Sequence, residues 1–92
     1  MDYTEELALL RTKIDAVDSE LLALFEQRMQ TSVQIGELKT KAGMAVTDAS
    51  REKLVIEKAV NSVSAENREE AAVFMRCLIE LSKKKQGTRR GY

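Results

Sequence analysis

Apolar residues recur at Leu7, Leu10, Ile14, Val17, Leu21 and Leu24, and again at Ile35 and Leu38. Steps of three and four are the spacing of a helix with one buried seam. The stretch from Glu5 to about Ala42 contains no proline, and Gly36 is its only glycine. One long helix is predicted there, stopping at Gly43, a good left-handed C-terminal cap, with Lys39 and Lys41 near the negative end of its dipole. After a short connection, Thr47 or Asp48 can cap a second helix over about Ala49–Val63, whose buried stripe reads Ile56, Ala59, Val60 and Val63. Ser64 to Asn67 form the next break, and Asn67 followed by Glu70 has the spacing of a capping box. A third helix then runs to about Gln86. One of its stripes is Ala71, Phe74, Leu78 and Leu81. The other, Met75, Ile79, Ser82 and Gln86, begins apolar and ends polar. No strand pattern is visible, so the fold class is all-α, with one very long helix and two shorter ones.

The seam has a misfit. Counted on from Leu24, it reaches Arg28 and then Thr31, so a guanidinium stands where leucine belongs. Burying an unpaired arginine is costly, so a carboxylate of the protein or an anionic ligand must face it. Lys39 lies about three turns on, roughly 16 Å along the same face, and one small molecule can touch both tips. Arg11 is roughly 25 Å back and about 100° round the helix. It reaches the same ligand only from a second copy of the chain. A helix of this length, roughly 57 Å, also overruns a compact domain of this size, whose radius of gyration is about 12 Å. A partner chain packed along it is the natural remedy, so an intertwined homodimer is expected.

Composition narrows the chemistry. Acidic and basic residues balance at fifteen each, which gives the chain no general attraction to nucleic acid. No run is long and apolar enough to span a membrane and no signal peptide is visible, so the expected location is cytoplasmic. Histidine is absent and Cys77 is the only cysteine. That excludes histidine-based triads, histidine metal sites, thiolate clusters and an internal disulfide. Cys77 is expected to be an inert buried thiol. Residues 1–86 are expected to form one helical domain and residues 87–92 a basic, disordered tail. A nucleic-acid contact through the basic run from Lys83 to Arg90 is a minor alternative.

The remaining candidates are Arg28, Lys39, Ser82, Gln86, Arg11 from a partner, and Asp48, Arg51 and Glu52 at the start of the second helix, where free N–H groups favour anions. Such a set suits a small ligand with two carboxylates and a hydroxyl. Each member also has an ordinary reading. Arg11 can be a solvated surface residue, Lys39 a complement to the helix dipole, and Asp48 a plain cap. Arg28 can pair with Glu52 or Asp48. Arg51 and Glu52 can be an exposed first turn, and Ser82 and Gln86 the wet end of a fraying helix.

Together these residues carry a resemblance. The matching stretches are Leu-Ala-Leu-Leu-Arg11-Thr-Lys-Ile-Asp-Ala-Val-Asp18, Leu-Leu-Ala-Leu-Phe-Glu-Gln-Arg28, Val33-Gln-Ile-Gly36-Glu-Leu-Lys39, Val46-Thr-Asp48-Ala-Ser-Arg51-Glu52 and Ile79-Glu-Leu-Ser82-Lys-Lys-Lys-Gln86. Over nearly its full length the chain resembles the all-helical class of chorismate mutases. Ser62 to Glu70 and the tail add little to the likeness. The resemblance implies an intertwined dimer whose two sites each take Arg11 from the other subunit. It implies rearrangement of chorismate to prephenate without cofactor, metal or covalent intermediate. It further implies that Arg11 and Arg28 clamp the two carboxylates with help from Ser82, and that Lys39 and Gln86 donate to the ether oxygen. Glu52 would accept from the ring hydroxyl, and Asp48 and Arg51 would line the helix start. An isochorismate-pyruvate lyase of the same fold, or a non-catalytic helical dimerisation module, are the competing readings.

Overall fold

The computed structural model describes residues 2–87. They form three α-helices: α1 (Tyr3–Ala42), α2 (Ala49–Asn61) and α3 (Arg68–Gly87). Each boundary has a local cause. Asp2 accepts the Glu5 N–H at 2.8 Å and starts α1, with Glu5 and Glu6 against the positive end of the dipole. Gly43 ends it at φ 69°, and the Met44 N–H closes back on the Lys39 carbonyl at 2.8 Å. Asp48 starts α2 by accepting the Arg51 N–H at 3.1 Å. That helix stops two residues short of the expected Val63. Ser62 turns its hydroxyl onto the Lys58 carbonyl at 2.6 Å, and Val63 lies outside the helix.

The entry to α3 differs from the capping box read from the sequence. Ala65–Asn67 form a single 3-10 turn, and the Asn67 amide donates to Ser64 Oγ at 3.2 Å. A short polar side chain offers its own backbone and neighbours alternative hydrogen bonds, and here the turn wins over the cap. At the other end, α3 runs to Gly87, one residue past the expected Gln86. Residues 88–92, the rest of the expected tail, lie outside the described residues, as does Met1.

α3 is the hub, packed against both α1 and α2. The face of α1 that meets it is Met29, Ser32 and Gly36, one position round from the predicted line. These are small or flexible side chains, and they let the two helices approach closely. At Gly36 a Cβ would stand 2.6 Å from the Gln86 Cα, so only glycine permits this crossing. From α3 the buried residues are Ala72, Ile79 and Ser82, so the half-polar stripe faces the core and Phe74 lies outside at 52% exposure. Cys77 is also exposed, not buried as expected; it is on the outer side of α3.

The leucine seam of α1 finds no cover among the described residues. Leu7 is 47% exposed, Ile14 60% and Leu24 60%, and every described residue before Phe25 is exposed. The molecule measures 61 × 29 × 14 Å with a radius of gyration of 17.4 Å, against about 12 Å for a compact domain of this length. No helix among the described residues is long and apolar enough to cross a membrane.

Candidate active site

A cleft of about 360 Å³ opens where α1, α3 and the start of α2 converge. Arg28 and Lys39 enter it from α1, Asp48, Arg51 and Glu52 from the cap and first turn of α2, and Ser82 and Gln86 from α3. Residues far apart in sequence are thereby gathered as their spacing suggested. Arg11 is not among them. It lies in the exposed half of α1, outside this cleft.

Arg28 is held from α3. Its Nη1 donates to the Ser82 hydroxyl and to the Leu78 carbonyl at 3.3 Å, and Nη2 lies 4.0 Å from Met75 Sδ. Ser82 is itself only 5% exposed, so the guanidinium is fixed by a buried hydroxyl. The ion pair with Glu52 or Asp48 considered from the sequence is not what holds it. Its pKa is pushed below the ordinary arginine value, first by loss of water on burial and then by repulsion from Arg51. Both causes disfavour positive charge, and the attraction of a bound anion would offset them.

Lys39 bridges two elements. Its Nζ donates to the Val46 carbonyl at 2.7 Å and to Gln86 Oε1 at 2.9 Å. The first bond ties the connection between α1 and α2 down to the helix. The second turns the Gln86 amide so that its oxygen faces Lys39 and its Nε2 hydrogens are left to donate elsewhere. Ser82 and Gln86 are thus not a fraying end: Ser82 is buried, and Gln86 lies on the close crossing at Gly36. Asp48 is a cap as expected, and it lines the cleft as well.

Sequence reasoning missed Lys83. It lines the cleft and pairs with Glu52 at 3.4 Å and with Glu80 at 3.0 Å. Hydrogen bonding to Glu80, and then to Glu52, raises its pKa above the ordinary lysine value. Read as part of a basic run, it gave no signal of a partner on another helix. The apolar wall of Ile35, Val55 and Ile79 was legible only in part, through Ile35 and Ile79 at helical spacing.

A helical cleft lined by four cations, one hydrogen-bonded amide and two carboxylates has the chemistry to suit a small polar anion, and it is built without histidine. The chain belongs to the chorismate mutase type II family, which it matches over residues 10–87. It is 41% identical over 54 residues to a bifunctional chorismate mutase/prephenate dehydratase of Aquifex aeolicus, covering 59% of this chain and 15% of that protein. It is 33% identical over 54 residues to a chorismate mutase of Methanocaldococcus jannaschii, covering 59% of this chain and 54% of the relative. An intracellular chorismate mutase of Mycolicibacterium smegmatis is 29% identical over 76 residues, 83% of this chain and 73% of that one. The match thus spans about half or less of the first two relatives' lengths. Among solved structures, a conserved hypothetical protein from Pyrococcus furiosus superposes with a TM-score of 0.73 at 29% identity, over 94% of this chain and 99% of that chain.

Proposed function

We infer that this chain catalyses the rearrangement of chorismate to prephenate, a step towards phenylalanine and tyrosine. The observation that carries the reading is the cleft itself. It combines Arg28 and Arg51 for carboxylates, Lys39 and Gln86 as paired donors, and Glu52 as an acceptor, in a member of the chorismate mutase type II family. The reaction breaks one C–O bond and forms one C–C bond within a single molecule, so no group on the protein needs to form a bond to it. Clamping both carboxylates selects the folded conformer of a flexible dianion. As the C–O bond breaks, the ether oxygen gains negative charge. Lys39 Nζ and Gln86 Nε2 are the donors for it, and a preorganised donor of this kind contributes about 3–4 kcal/mol to transition-state stabilisation.

The active form in this reading is an intertwined homodimer in the cytoplasm. One feature supports the dimer: the uncovered leucine seam of α1. Arg11 of a second copy would add a further cation to the carboxylate clamp of Arg28. The test is the fall of chorismate absorbance on adding purified protein, with prephenate identified by NMR. Isochorismate is run in parallel: release of pyruvate from it, with chorismate untouched, would replace this reading by the lyase.

A further inference from the structure

Lys83 is a cleft-lining cation that neither the helical pattern nor the family resemblance singles out. It follows the buried Ser82, and its Nζ lies between Glu80 Oε1 at 3.0 Å and Glu52 Oε2 at 3.4 Å. The two ends of this relay differ. The Lys83 and Glu52 side chains are 22% and 26% exposed, whereas Glu80 is 66% exposed. The inner pair is therefore less screened by water than the outer one.

The cleft holds two carboxylates. Asp48 uses Oδ1 to cap α2. Glu52 has no such duty, and the cations sharing its cleft are Arg28 and Lys39 from α1, Arg51 from its own helix and Lys83 from α3. A carboxylate free to close onto Arg28 or Arg51 would neutralise the groups an anionic ligand needs. Instead, the ion pair of Glu52 among the described residues is with Lys83. The geometry points to Lys83 as a positioning residue: anchored by Glu80, it draws the Glu52 carboxylate to the α3 side of the cleft and leaves Arg28 and Arg51 open to the substrate's carboxylates. This rests on the function proposed above, and it acts through Glu52 rather than on the reacting atoms. The raised pKa of Lys83 is in keeping with a lysine that holds two acids.

The test has two arms. The first uses no substrate: NMR titration of the lysine ammonium groups, with Lys83→Met to assign the Lys83 signal. The Lys83 midpoint should lie above the ordinary lysine value and fall in both Glu52→Gln and Glu80→Gln. A midpoint unmoved by Glu52→Gln overturns the tie. The second arm is a double-mutant cycle on kcat/KM for chorismate. Lys83→Met, which keeps the apolar stem, should lower it about tenfold in the parent but less than twofold in the Glu52→Gln background, and Lys83→Arg should restore most of the loss. Equal losses in both backgrounds, or none in the parent, overturn the positioning role. A parent protein that leaves chorismate unchanged overturns the proposed function instead, and the first arm then decides the Lys83–Glu52 tie by itself.

Discussion

Gln86 is the residue on which the proposed chemistry can be tested most sharply. It is a neutral amide whose oxygen accepts from Lys39, which leaves its nitrogen to donate. Gln86→Glu would put a carboxylate beside the oxygen that develops negative charge. Its ordinary pKa is near 4.3, and Lys39 would hold it ionised further into acid. The variant should lose about 100-fold or more in kcat/KM at pH 7.5 and recover as the pH falls, while the parent stays nearly flat from about pH 5.5 to 8.5. Equal activity and an equally flat profile at pH 8 would show that Gln86 does not face that oxygen. Lys83 has a pH signature of its own. Its folded-state pKa is raised, so its contribution to stability is complete below the unfolded lysine value, near 10.4, and is lost as the pH climbs through the folded one. Urea midpoints of the parent and Lys83→Met should differ by a constant amount between about pH 6 and 9 and converge above the raised value. At this scale the sequence was informative where a residue broke a pattern. Arg28 interrupted an apolar line and Gln86 ended one, and both line the cleft. Lys83 broke nothing, being one lysine of three in a row, and its partner Glu52 is on another helix. Cys77 was misread because it sits among apolar residues, whereas the buried line of α3 runs through Ala72, Ile79 and Ser82 and leaves Cys77 on the outer side.

The helices were legible because their ends are local. Asp2, Gly43 and Asp48 act within a few residues of themselves. The crossing of α1 and α3 was not, because its key residue is an absence. Gly36 read only as a lone glycine in a long helix, yet it lets the Gln86 backbone come close enough for Lys39 and Gln86 to meet. Gly36→Ala should force these helices apart, costing about 1–3 kcal/mol in urea unfolding. It should also lower kcat/KM by more than the stability loss explains, because the Lys39–Gln86 pair is misaligned. A variant with parental stability and kinetics would mean that the helices can shift without consequence. Asp48→Ala tests the start of α2. Loss of the cap should cost about 1 kcal/mol and loosen the turn that carries Arg51 and Glu52.

At the scale of the whole molecule, the length of α1 and its uncovered leucines argue for a second chain. Apolar surface of this extent is not left to water in a stable monomer. Sedimentation at micromolar concentration should give a dimer, and a folded, active monomer would contradict the proposed assembly. Arg11→Ala and Arg28→Ala should each nearly abolish activity and leave the helical content intact. Mixed and allowed to exchange subunits, the two inactive proteins should regain activity, because a heterodimer has one site with both lesions and one with neither. No recovery after verified exchange would mean that both arginines serve the same chain's cleft.

The bare first half of α1 also bears on the order in which this protein comes into being. From Tyr3 to Leu24 every residue is exposed in the single chain, so that half has nothing among the described residues to fold against. A stretch held only by its own backbone bonds is marginal in water. It leaves the ribosome before α2 and α3, yet in the proposed dimer it becomes firm only when a second polypeptide arrives. Amide protons there should exchange quickly in dilute solution and slowly at high concentration, while those of α3 from Ala72 to Ser82 change less. Completion of this half would then be a bimolecular event, with a rate set by how many copies the cell has already made.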